Sequence, residues 1–303
     1  MLRKGMSSMI AGLPRSNESL RPHWQWSFFI FLQEMGVYMV IGESSKRMDK
    51  MGAMGTKESM LQAPIHQEGL RQWLQELLDR GEFIHLFQPI MDIHRQKLFG
   101  YEALLRVDER HNLSPHDLFS IAKAVGMSYE LDMASLKGAI RTFASFSGYL
   151  FLNVLPSTLL HADFYRDFQA VLSAAGVSGE RIMLEITEGE MVDNYTRMRD
   201  CLDRLKRLGV SIALDDVGSG YSIQTLTELE SDLIKIDRFL VEDVDESDKK
   251  QRMIKLIREL LDERVLIVAE GIERARELET LQKLGIQLGQ GYFLGRPSPL
   301  KMP

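Results

Sequence analysis

The segment IALDD, residues 212–216, is an apolar run that stops at two adjacent carboxylates, Asp215 and Asp216. Three other runs have the same form. FLNV (151–154) carries Asn153, MLEIT (183–187) carries Glu185, and LIVAEG (266–271) ends at Glu270 and a glycine. Strands that alternate with helices place all their carboxyl ends on one face of a barrel, so residues as distant as Asn153 and Glu270 converge there. Acids gathered in one buried ring raise each other's pKa and need cations to stay ionised. An oxygen-only donor set points to hard divalent ions such as Mg²⁺ or Mn²⁺.

Outward from these runs, further strands are expected near 181–187, 210–215, 232–237, 265–270 and 287–293, and one at 149–155. Helices are expected over 115–124, 129–146, 190–208, 248–263 and 274–284. Upstream, EGLRQWLQELLDRG (68–81) has the apolar spacing of a helix closed by Gly81. FIHLFQPI (83–90) and LFGYEALLR (98–106) read as two strands joined by a short polar stretch, which allows an antiparallel hairpin. Eight strands with intervening helices give an α/β fold, a TIM-like (β/α)8 barrel in which the hairpin supplies an antiparallel strand. In helix 248–263 the stripe Met253, Ile254, Ile257, Leu260 and Leu261 reads as core packing rather than a partner surface. Cys201 reads as a small residue, buried or half-buried in mid-helix.

Composition narrows the function classes. The chain has 303 residues, 45% hydrophobic and 26% charged, with a formal net charge of −6. That balance argues against DNA or RNA as a partner. It leaves room for a small anionic substrate, since bound metal inverts the local field. The single cysteine, Cys201, forms no internal disulfide and suits a reducing, cytoplasmic location. All seven histidines lie at or before His161. A histidine-based triad or zinc site in the carboxylate-rich half is therefore not expected.

The first 65 residues differ from the rest. They hold nine of the seventeen methionines and carry eight basic against five acidic residues. They read as an N-terminal extension without regular alternation, followed by a barrel domain over 66–303. The apolar segment 24–42, interrupted by Gln25, Gln33 and Glu34, is the one place for membrane contact, through an interfacial or anchored association.

In order along the chain stand YEALLR (101–106), FLNVLPS (151–157), LEITEGE (184–190), ALDDVGSGYS (213–222), LIKID (233–237), VAEGIE (268–273) and QGYFLGRP (290–297). Segment by segment this series resembles the EAL family of bacterial cyclic-di-GMP phosphodiesterases, over about residues 83–298. Any one motif is weak; seven in register are specific. The resemblance implies a barrel with one antiparallel strand, two Mg²⁺ or Mn²⁺ ions, and hydrolysis of cyclic-di-GMP to linear pGpG. It implies Glu102, Asn153, Glu185 and Asp215 as ligands of one ion. Asp215 would bridge to the second ion, held also by Asp216 and Glu270. Lys235 would orient the attacking water and Asp215 would help take its proton. Gln290 and Glu273 would fix that arrangement, and Glu188 would brace the loop Asp216–Ser222. Arg106 would meet the substrate phosphate, with Gln88, Leu104 and Pro297 also against the substrate. A homodimer is implied as well.

Plainer readings exist for each residue. A lone acid at a strand end caps the next helix, and Asn153 alone reads as a turn or cap. Capping leaves Asp215, Asp216, Glu185 and Glu102 as a repelling cluster, so metal binding is favoured. Gly218 and Gly220 serve as turn residues in either case. Arg106 could instead pair with a surface acid. The chain departs from the family pattern at Val107, Val217, Ser219, Ile223, Ile272 and Arg274, none of them an implied ligand. The alternatives are a catalytically silent cyclic-di-GMP receptor or interaction module on this fold, and an enolase-type barrel.

Overall fold

A computed structural model describes residues 64–108, 113–187, 190, 192, 194–218 and 223–301. The segment 24–42 and Glu188 lie outside the described residues, as does most of the expected extension. Eight strands close into one barrel in sequence order. Helix α1 (Pro64–Arg80) leads into β1 (Phe83–Asp92) and β2 (Lys97–Val107); α2 (Pro115–Ala124) and α3 (Ser128–Phe143) precede β3 (Tyr149–Val154). Helices α4 (Pro156–Leu159) and α5 (Phe164–Ala175) lead to β4 (Ile182–Ile186), and α6 (Tyr195–Lys206) to β5 (Ser211–Val217). Then come α7 (Ile223–Glu228), β6 (Leu233–Ile236), α8 (Arg238–Val241), α9 (Asp248–Leu260), β7 (Leu266–Ala269), α10 (Ala275–Lys283) and β8 (Leu288–Gly289).

Strand β1 runs antiparallel to both its neighbours, β2 and β8, while the other pairs are parallel. The polar stretch between β1 and β2 is a tight connection, so the two strands pair along nearly their whole length from Phe83–Val107 to Asp92–Lys97. The expected antiparallel strand is therefore the first one.

Two elements differ from expectation. The strand expected over 287–293 is only Leu288–Gly289. Beyond it the chain turns at Gly291, whose amide-flanked backbone bonds back from Leu294 and Gly295 N–H to its carbonyl. The helix expected from 190 begins at Tyr195, because the Asn194 side chain accepts the Arg197 N–H at 2.9 Å and caps it there. In α9 only Ile254 and Ile257 of the predicted stripe are fully buried; Met253 and Leu260 are exposed. Cys201 is half-buried, its thiol donating to the Leu159 carbonyl at 3.0 Å.

The barrel interior is layered. Ile90, Phe151, Met183, Ala213, Leu233, Val268 and Leu288 form one apolar layer inside the strands. Side chains on a strand repeat every second residue on the same face. Two residues further along each parallel strand, that face reaches Asn153, Glu185, Asp215, Lys235, Glu270 and Gln290. In the reversed β1 the step runs backwards, from Ile90 to Gln88, whose register partner on β2 is Glu102. Period-two geometry thus stacks a polar layer directly on a dry one. A larger cluster outside the strands packs the helices on the sheet, with Phe143, Phe164, Phe168, Leu205, Ile234 and Ile286 among its buried members.

Candidate active site at the barrel mouth

The polar layer is centred on Lys235. Its Nζ lies 2.6 Å from Glu270, 3.1 Å from Glu185, 3.1 Å from Asp215 and 3.4 Å from Glu102. Lys235, Glu185 and Glu102 are buried. Burial alone would push the Lys235 ammonium down; Asp215, Glu102, Glu185 and Glu270 outweigh it and hold the group well above its ordinary value. The lysine is therefore a fixed positive charge.

The acids respond unequally. Burial works to raise Glu102, but Lys235 and the amides of Gln290 and Asn153 hold it below the ordinary carboxylate value. Asn153 Nδ2 donates to its Oε1 at 2.8 Å and Gln290 Nε2 to its Oε2 at 2.6 Å. Gln290 Nε2 also reaches Gln88 Oε1 at 3.2 Å, and Gln88 donates to the Gly295 carbonyl. Glu185 has no amide donors: its Oε1 meets Lys235 Nζ at 3.1 Å, its Oε2 has no partner, and burial with its acidic neighbours, against the pull of Lys235, raises it well above the usual range. Burial, Asp215 and Glu102 push Glu270 up to about 8 against the pull of Lys235.

Two consecutive aspartates reach this centre because β5 is irregular. Neighbouring strand residues ordinarily point to opposite faces. Here the β5–β6 register shifts between Leu214 and Val217, and Asp216 adopts a left-handed φ of 52°. Asp is among the few residues that tolerate that conformation. The kink brings oxygens of Asp215, Asp216 and Glu270 within 4.8 Å of one another.

One ammonium cannot balance five carboxylates (Glu102, Glu185, Asp215, Asp216 and Glu270). The charge that five ionised carboxylates would carry, the Glu185 Oε2 left without a partner and the oxygen-only donor set together fit hard divalent cations.

Arg106 and Leu104 lie on β2 on the Glu102 face, with Arg106 Nη1 donating to the Leu105 carbonyl at 2.7 Å. Pro297 is brought beside β1 by the Phe87–Ser298 bridge, with bonds of 2.8 and 3.1 Å. Glu273 lines a cavity with Glu102 and Glu270, its carboxylate 3.1 Å from Arg238 Nη2. Arg238 went unremarked in the sequence, although it directly follows the LIKID segment that carries Lys235. Of the departures from the family pattern, Val217 is buried in the main core, while residue 219 lies outside the described residues.

Comparison with known proteins agrees with this layout. The model for the EAL domain matches residues 71–297. The cyclic di-GMP phosphodiesterase NbdA of Pseudomonas aeruginosa is 32% identical over 246 residues, covering 77% of this chain and 31% of its own. The probable cyclic di-GMP phosphodiesterase PdeI of Escherichia coli is 30% identical, covering 75% of this chain and 30% of its own. The chain therefore spans about a third of the length of these curated relatives. Among solved structures, the manganese/cy-diGMP complex of Klebsiella pneumoniae BlrP1 at pH 9.0 is 32% identical with a TM-score of 0.65, covering 72% of this chain and 56% of that one. With the motif series, the barrel topology and the matched span in agreement, the chain belongs to the EAL domain family.

Proposed function

We propose that this domain hydrolyses cyclic-di-GMP to linear pGpG with the help of two divalent ions, Mg²⁺ or Mn²⁺. The observation that carries this reading is the ring of Glu102, Glu185, Asp215, Asp216 and Glu270 around Lys235, with excess negative charge at the barrel mouth. Glu102, Asn153, Glu185 and Asp215 would hold one ion, and Asp215, Asp216 and Glu270 the other. Such ions supply an acidified water and positive charge on the phosphate. Because Asn153 spends its Nδ2 on Glu102, its Oδ1 remains as a donor to metal. Lys235 orients the attacking water from the floor of the site, and Asp215 helps to take its proton. Attack at phosphorus breaks one P–O3′ bond and leaves a 5′-phosphate and a 3′-hydroxyl. Gln290 holds Glu102 in place from the β8 side. Arg106 meets the substrate phosphate, with Gln88, Leu104 and Pro297 against the rest of the molecule. By the family resemblance, Glu188 would brace the loop that follows Asp216.

The test is purified protein with cyclic-di-GMP and Mg²⁺ or Mn²⁺, products separated by liquid chromatography, with an EDTA control. Metal-dependent pGpG is the expected result; its absence in folded, metal-loaded protein overturns the proposal.

We further propose that the domain works as a homodimer. Phe239, Leu256 and Leu260 are exposed on α8 and α9, an apolar surface suited to a second copy. Light scattering on L256E/L260E should then show a lighter particle than the wild type. Among the described residues no helix is long and apolar enough to cross a membrane.

A further inference from the structure

Beside the acid ring lies a cavity of about 230 Å³ whose walls include Glu102, Glu270, Glu273, Tyr292 and Arg238. It is smaller than the roughly 300–1,000 Å³ of a typical ligand pocket, so it suits one part of a larger molecule. Its charge is unusual for a place beside a phosphodiester. Three of these walls are carboxylates, and Arg238 is the one cationic side chain among its described lining residues. A phosphate entering here is repelled unless Arg238 receives it.

The backbone holds Arg238 where it can do so. It opens α8 directly after Asp237, three positions beyond Lys235, which pairs with Val268 on β7. Its stem lies on Gly271: a Cβ on that glycine would sit 2.5 Å from Arg238 Cγ. Its Nη2 is 3.1 Å from Glu273 and 3.8 Å from Glu242, and the side chain is half-exposed. Exposed ion pairs of this kind are weak. Guanidinium–phosphate contacts are stronger and often bidentate, so Glu273 is exchangeable for a phosphate.

Arg106 and Arg238 also stand across the mouth from each other. One lies on β2 and the other just after β6, four strands apart in a ring of eight. A cyclic dinucleotide has two phosphodiesters. Resting on the function proposed above, we infer that Arg238 is a substrate-contacting residue that binds the phosphodiester not being cut, releasing Glu273 as it does so. It is a second anion contact, distinct from Arg106 and from the metal ligands.

The experiment compares steady-state kinetics and Mn²⁺ affinity for the wild type, Arg238→Met, Arg238→Lys and Glu273→Gln. Losing a charge-assisted contact should raise KM for cyclic-di-GMP by about tenfold or more in Arg238→Met. Its kcat and Mn²⁺ affinity should stay near wild type, and Arg238→Lys should recover part of the loss. Glu273→Gln, which frees the guanidinium, should not reproduce the rise in KM seen in Arg238→Met. An unchanged KM in Arg238→Met overturns the contact. So does a loss confined to kcat or Mn²⁺ affinity, or a Glu273→Gln variant that reproduces the Arg238→Met defect, since Arg238 would then act only through Glu273. Wild-type protein that neither binds nor cleaves cyclic-di-GMP overturns the functional reading itself, and the contact with it.

Discussion

Lys235 Nζ lies 2.6 Å from Glu270 Oε1, although the two side chains come from the ends of different strands, β6 and β7. The same ammonium touches three more carboxylates. It is the internal counterion of the site, present whether or not metal is bound. Replacing it with Met strips compensation from a buried acid cluster, which typically costs about 3–5 kcal/mol. Lys235→Met should melt well below the wild type in EDTA, recover much of the difference in Mn²⁺, and lose turnover in both. Equal melting temperatures in EDTA would show that the acids do not depend on the lysine.

Gln290 touches no proposed reacting atom, yet it fixes Glu102 from 2.6 Å. Outer groups of this kind typically set metal affinity or activity by about 10–100-fold. Gln290→Leu should weaken Mn²⁺ binding by that order while circular dichroism stays unchanged. Isothermal titration with Mn²⁺ decides it, and wild-type affinity in the variant is the adverse result.

Asp132, inside α3, accepts the Leu155 N–H at 3.0 Å and so pins the turn that follows Asn153. Burial, opposed by the Leu155 and Thr158 contacts, pushes its carboxyl from 3.8 to about 7. A carboxyl raised by folding stabilises the folded state below its unfolded pKa, and that contribution is lost as pH rises to the folded value. The shift corresponds to roughly 4 kcal/mol as an order of magnitude. Asp132→Asn keeps an acceptor for Leu155 and removes the titration. Relative to wild type, the variant should gain stability between about pH 4 and 7 and hold the gain above that. Denaturant unfolding across that range should show it; a constant difference would remove Asp132 from the pH response.

His85 works in the opposite direction. Packed between β1 and α3 with Nε2 3.1 Å from Ser135 Oγ, it is driven by burial from 6.5 down to about 4. Its neutral form is the folded one, so its contribution is present above about pH 6.5 and lost as pH falls towards 4. His85→Gln should flatten that acid limb in the same unfolding series. A wild-type acid limb in the variant would place the loss elsewhere.

The site was legible because its chemistry is carried by strand ends. Apolar runs closing on Glu185, Asp215 and Glu270 announce a face, and the barrel's period of two makes that face a ring. The reversed β1 was legible from the short polar link after Ile90. Less legible was whatever depends on a single backbone angle or on a distant surface. Nothing in the composition of α9 tells which apolar side faces the barrel, so Met253 and Leu260 were misassigned to the core. The early end of β8 follows from the turn at Gly291 and the tie between Ile272 N–H and the Gln290 carbonyl, a contact between loops. The pairing of Glu273 with Arg238 is a contact between the loop after β7 and the start of α8, and no motif announces it.

The reversal of β1 also decides from which side the polypeptide enters the barrel. In a wholly parallel barrel the first strand starts at the floor, remote from the chemistry. Here Phe83, the first residue of β1, pairs with Val107 at the rim, and α1 ends only a few residues earlier, at Arg80. The chain thus arrives at the lip of the site and runs down past Gln88, opposite Glu102. Helix α1 packs at that lip, its Leu70, Leu74 and Leu77 sharing one buried cluster with Leu105 and Val107 of β2, so the wall that carries Leu104 and Arg106 is braced by the segment through which the chain enters.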